Sequence, residues 1–139
     1  MHACLSSSGR LALSAAVLVF CFGAAIAAGP GGQIRGGEWG FAGEAEPNAR
    51  YIQFSGGGRV FGFGGCNRFS GTFSVSGETL AIGPLVATRR ACPDDVMQRE
   101  TEFFRILEST RSGAASRLEL VLRAEDGSTL ATLQRRDAD

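Results

Sequence analysis

Apolar positions along the chain follow three rhythms. Residues 11–28, LALSAAVLVFCFGAAIAA, carry no charge, follow Arg10 and finish in small residues. From Tyr51 onward, short segments alternate apolar and polar positions between turn-forming residues, the pattern of strands with one buried face. Only after Cys92 does the spacing lengthen to the three and four residues of an amphipathic helix.

The alternating segments predict an antiparallel sheet. Residues 50–55 (RYIQFS) run into GGG at 56–58 and then RVFGF at 59–63, which reads as a hairpin. In 68–75, Phe69, Gly71, Phe73 and Val75 alternate with Arg68, Ser70, Thr72 and Ser74, so one face is buried and the other wet. SGE at 76–78 turns the chain into TLAI, and Leu118, Leu120 and Leu122 lead through Asp126-Gly127 into STLATLQR as a last hairpin. The period-two phenylalanines Phe61, Phe63, Phe69 and Phe73 are read as core and not as ligand-stacking residues. Residues 29–37, GPGGQIRGG, are too glycine-rich to hold a fixed backbone cheaply and read as a flexible arm, so the domain is placed at 38–137.

The helical segment begins with Pro93 as its first helical residue, and Asp94 and Asp95 follow where the helix dipole favours negative charge. Val96, Met97, Phe103, Phe104 and Leu107 share one face, which predicts packing against the sheet. Glu100 lies within that stripe. A buried carboxylate needs a partner, for which Arg68 and Arg89 are the candidates; alternatively, a slight rotation of the stripe leaves Glu100 at its edge in water.

The 11–28 stretch has the order of a secretory leader, with Ala25-Ile26-Ala27 as a cleavage signal. An uncleaved membrane helix is the rival reading, at the lower length limit for a span. Cys21 follows Phe20, too bulky for a lipidation motif. Export makes the protein periplasmic or secreted, with no stable membrane span once the leader is removed. Cleavage would also remove Cys4 and Cys21, leaving Cys66 and Cys92. Two lone cysteines in an oxidising compartment commonly pair. Closing that loop would stabilise the fold by roughly 3.5 kcal/mol on chain-entropy grounds. The alternatives are two buried free thiols or a metal site, and the latter lacks ligands because the only histidine is His2.

Composition narrows the function further. The 14 basic residues, all arginine, balance 14 acidic ones, and no basic run marks a nucleic-acid footprint. Without a histidine beyond the leader, Ser-His-Asp and Cys-His nucleophile systems are absent. The stretch GGGRVFGFGG at 56–65 lacks Gly-Lys-Ser/Thr and sits between strands, so it reads as hairpin and bulge and not as a phosphate loop. Glu100 and Glu102, two apart on a helix, diverge and make a poor acid-base pair. No cofactor is called for.

Two strings carry a resemblance. GGCNRFSGTF at 64–73 and LAIGPLVATRRAC at 80–92, followed by Glu100 and a helix ending FFRIL, resemble the META domain of the heat-shock protein HslJ family. Trp39, Phe54 and a closing LELVLRAEDGSTL extend the resemblance from Trp39 to Arg136. It implies an α+β fold in which an antiparallel, barrel-like sheet curls around a single α-helix. It also implies a small bacterial envelope protein associated with heat stress and novobiocin tolerance, with no catalytic role for the motif positions Cys66, Asn67, Arg68, Gly71, Thr88, Arg89, Cys92 and Glu100. These read as a structural knot, in which a disulfide joins a strand start to the helix start and Asn67, Arg68 and Thr88 satisfy backbone groups or Glu100. The family is similar to secretion pilot proteins, which bind a hydrophobic partner in a cracked barrel. The leading expectation is a monomeric, non-enzymatic envelope domain that binds another protein or an amphipathic ligand. The competing ones are a lipid or hydrophobic-peptide carrier and an enzyme built on carboxylates and arginines.

Overall fold

A computed structural model describes residues 29–137, so the leader and its cleavage signal lie outside the described residues. The sheet opens with β1 (Glu38–Gly40), and the alternating sequence that follows forms β2 (Tyr51–Ser55), β3 (Arg59–Phe63), β4 (Arg68–Ser76) and β5 (Thr79–Ala87). The helix α1 (Asp94–Ser109) follows, then β6 (Ser112–Ala115), β7 (Glu119–Arg123) and β8 (Thr129–Arg135). Each strand pairs antiparallel with the next, and β8 returns to β1 through Arg135 opposite Trp39 and Gln134 opposite Gly40. The result is a closed, curled α+β sheet.

Closure is uneven. Strands β5 and β6 meet at one register pair, Thr79 with Ser112, supported by Leu80 N–H donating to the Arg111 carbonyl (3.1 Å) and Gly113 N–H to the Glu78 carbonyl (2.9 Å). Beyond that seam the rest of β5 has no strand on its far side among the described residues. Pro84 offers no N–H there, and the Leu85 N–H donates to Glu108 of α1 (3.2 Å). Helix α1 covers the gap. Its buried face (Val96, Glu100, Phe103, Ile106, Leu107) turns into the sheet while Gln98, Thr101, Glu102 and Arg105 stay exposed.

Side chains fill the space inside the sheet. Trp39, Ile52, Phe54, Val60, Leu80, Leu120, Leu122 and Leu133 are all at most 1% exposed and join Phe103 and Leu107 of α1 in one core. Phe103 meets Phe41 and Phe69 edge to face at 5.6 and 6.0 Å, an arrangement that adds about 0.5–1.5 kcal/mol per pair beyond area burial. The helix ends are tied as well. The Pro93 carbonyl accepts the N–H groups of Val96 and Met97, and the Arg111 guanidinium donates to the carbonyls of Glu108 and Thr110 at the C-terminal end.

Several sequence readings are corrected. The 29–37 segment is not a free arm: Pro30–Gly32 form a short 3-10 turn, and Ile34 is fully buried in the core. The Ile34 carbonyl accepts the Trp39 indole N–H at 2.9 Å, and Arg35 bridges to Phe54. One buried isoleucine outweighs the entropy of its glycine neighbours. Phe61 is 44% exposed and Phe63 half-buried, because Val60 and Gly62 take the inward positions of β3. Leu118 lies in the turn before β7 and is 55% exposed. Pro93 precedes the helix as its N-cap. Ile106 belongs to the buried helix face, and β6 is a strand that the sequence reading did not identify.

Candidate functional site

The family-motif residues meet where three segments converge: the turn between β3 and β4, the β5–α1 connection, and the first half of α1. The turn is short. Gly64 N–H donates to the Asn67 carbonyl at 2.8 Å. Gly65 has φ +107, a conformation that glycine adopts without strain. That geometry aims successive backbone N–H groups at one point, as in an anion-holding nest.

The Glu100 carboxylate occupies that point. Its Oε2 accepts the N–H of Cys66 (3.0 Å) and of Asn67 (2.6 Å), and its Oε1 accepts the Asn67 side-chain amide (2.7 Å). Glu100 is 4% exposed. Three N–H donors on the two carboxylate oxygens solve the burial problem without any arginine. The expected ion pair is therefore corrected: Arg68 and Arg89 are both exposed, and neither reaches Glu100. The alternative, Glu100 at a wet edge, is also overturned. Gly64 makes the approach possible, because a Cβ there would stand 2.6 Å from Glu100 Oε2.

Asn67 carries the contact onward. Its Oδ1 accepts from Thr88 Oγ1 (2.9 Å) and Arg90 N–H (2.6 Å), and its amide nitrogen donates to the Arg90 carbonyl (3.3 Å) as well as to Glu100. Both donors and both acceptor sites of that amide are used. Beside it Cys66 is bonded to Cys92, with Cα atoms 6.0 Å apart. Of the motif positions, Cys66, Asn67, Thr88, Cys92 and Glu100 come together. Gly71 lies apart in β4 opposite Leu85, where a Cβ would press on the Pro84 carbonyl at 2.5 Å. Arg68 lines a separate shallow cleft with Glu38, Glu46 and Tyr51. The Arg90 backbone, Gly64 and Gly65 are members that the sequence reading missed; the paired glycines before Cys66 were the available sign.

A second cluster braces the same helix. The Arg50 guanidinium lies 4.1 Å from the Phe41 ring centroid, bonds Glu44 (2.9 Å) and donates to the Arg99 carbonyl (3.1 Å). Partial burial works to raise the Glu44 pKa, but hydrogen bonds from the Arg50 side chain and backbone outweigh it and hold the carboxyl below its ordinary value.

Chemically, the motif cluster is a clamp. Its carboxylate and amide are saturated by internal partners and its sulfurs are joined, so it presents neither a free nucleophile nor a solvent-facing acid or base. Among the described residues, no three His, Cys, Asp or Glu side chains stand together to hold a metal, and no helix is long and apolar enough to cross a membrane.

A family model described as the META domain matches residues 34–137. Among solved structures, the chain is similar to the NMR structure of a protein from Burkholderia xenovorans, at 20% identity and a TM-score of 0.62 over 94% of this chain and 99% of that one. A second NMR structure is 20% identical with a TM-score of 0.59, covering 76% of this chain and 93% of the other. A crystal structure of a DUF4847 family protein from Bacteroides vulgatus is 21% identical with a TM-score of 0.48, over 62% of this chain and 57% of that one. The likeness to the first two is one of fold. No curated protein matches the chain.

Proposed function

The chain belongs to the META domain family, and on that premise we propose that it is an exported, non-enzymatic envelope domain that supports stress or antibiotic tolerance by binding a protein or an amphipathic ligand. One observation carries the non-enzymatic reading: Glu100, Asn67, Thr88 and both cysteines spend their chemistry on one another and on backbone. Side chains held this way build a rigid scaffold, and the surface around them does the binding. Export is supported by the leader-like residues 11–28 and by a disulfide, which suits an oxidising compartment. A carrier holding lipid or peptide inside the sheet finds less support, because Trp39, Phe54, Leu120 and Leu133 fill that interior.

The test is intact mass of the protein from the periplasmic fraction, with and without reduction and thiol alkylation. The expected result is a chain starting at Ala28 or Gly29 that alkylates only after reduction. A full-length mass with free thiols overturns export. Turnover in a broad hydrolase screen, abolished by one substitution, overturns the non-enzymatic reading.

A further inference from the structure

Away from the clamp, three arginines from distant parts of the chain line one shallow cleft. Arg35 comes from the segment before β1, Arg117 from the β6–β7 turn and Arg135 from the end of β8, with Gln33 and Ser116 between them. Neither Arg35 nor Arg117 has a carboxylate partner among the described residues, while Arg135 bonds Asp137 at 3.2 Å. No acidic side chain lines the cleft itself. With Asp137 counted, the cleft keeps an excess of two positive charges.

Two of the three cations rest on aromatic rings, and the third is carried by a braced turn. The Arg35 guanidinium lies 5.9 Å from the Phe73 ring centroid and Arg135 5.3 Å from that of Trp39, so buried aromatics set their positions. Arg117 sits in a tight turn: Ser116 Oγ accepts the N–H groups of Leu118 and Glu119 (3.3 and 3.0 Å), and Ser116 N–H donates to the Glu119 carbonyl (2.8 Å). With its amide turned so that the nitrogen faces them, Gln33 donates to the carbonyls of Ala115 and Ser116 (3.0 and 3.2 Å) and ties the Arg35 segment to that turn. Planar guanidinium forks match tetrahedral oxyanions, and preset cations lose little freedom on binding one.

We infer that the cleft of Arg35, Arg117 and Arg135 binds the phosphate group of an anionic ligand. The inference deepens the ligand side of the proposed function and rests on the reading of this chain as a binding domain. Exposed Leu118 borders the cleft through an adjoining groove that shares Ser116 and Arg135, and Glu119 lies in that same groove. A phosphate with an apolar substituent therefore has a surface to lie on, and the source is either a lipid headgroup or a free phosphate compound.

The isotope-labelled chain from residue 29 onward, as export would leave it, would be titrated with inorganic pyrophosphate and, separately, sedimented with vesicles of phosphatidylglycerol in phosphatidylcholine. Expected are resonance shifts at Arg35, Arg117 and Arg135 but not at Arg105 on the outer face of α1, and binding weakened about tenfold or more by R117E but not by R105E. Arg117 is exposed, so its variant folds. Pyrophosphate that also displaces the chain from vesicles identifies a lipid headgroup, and pyrophosphate binding without vesicle binding identifies a free phosphate. No shifts at the three arginines, or equal losses in R117E and R105E, overturn the site and leave the binding-domain reading standing. Release of orthophosphate from the probe instead overturns the non-enzymatic reading.

Discussion

Glu100 of α1 and Asn67 at the head of β4 are joined twice: the carboxylate accepts the Asn67 backbone N–H at 2.6 Å and its side-chain amide at 2.7 Å. Because the same asparagine also holds Thr88 and Arg90, one carboxylate fixes the turn, the helix and the strand-to-helix connection together. Glu100→Gln would turn an NH2 group toward N–H donors. The expected loss is about 2–4 kcal/mol in urea denaturation, and a loss under about 0.5 kcal/mol would contradict the clamp.

Gly64→Ala tests the same contact from the other side. Its Cβ would displace Glu100 from the nest, costing about 1–3 kcal/mol. Combined with Glu100→Gln, the double variant is expected to lose less than the sum of the two single losses, because both break one contact. Additive losses in a double-mutant cycle would show that the two residues act apart.

Reducing the Cys66–Cys92 bond opens a loop of sequence separation 26. Stability should fall by roughly 3.5 kcal/mol if the chain-entropy account holds. Parallel denaturation curves of the oxidised chain and of the reduced, alkylated chain measure this directly.

Ile34→Ala separates a docked segment from a free one. A fully buried isoleucine truncated to alanine should cost about 2–5 kcal/mol, whereas the same change in a mobile arm would cost nothing measurable. Thermal or urea unfolding of the variant decides between them.

The Glu44–Arg50 contact gives stability a pH dependence. The folded-state pKa of Glu44 is depressed below its ordinary 4.5, so its contribution is present above that value and is lost as pH falls through the folded-state pKa. Glu44→Gln should therefore be less stable than the parent at pH 7, and the gap should shrink on acidification to about pH 3. A gap that stays constant would mean that Glu44 contributes nothing through its charge.

How much of this was legible follows from where the information lay. Strands β2 to β4 and the final hairpin announce themselves because Phe69, Phe73, Leu120 and Leu122 alternate with polar residues. In β6, Ser-Gly-Ala-Ala has no large apolar residue to alternate, so nothing marked it as strand. Ile34 was hidden by glycines on either side of it. The sequence offered Glu100 an arginine, a wet edge or the Asn67 side chain, of which the last is found, but not the backbone donors, because side-chain types are visible in a sequence and backbone donors are not. The glycines at 64 and 65 were the readable sign that a backbone turn, and not a guanidinium, would answer the carboxylate.

Among the described residues, the stretch of β5 without a strand neighbour has a bearing on how copies of the protein treat one another. An open strand flank is a template on which a neighbouring chain can lay its own backbone, the first step toward fibrils or strand exchange. Here a proline leaves one rung blank and Glu108 occupies the next. A residue with no part in the clamp thus acts as a gatekeeper on that flank of the sheet.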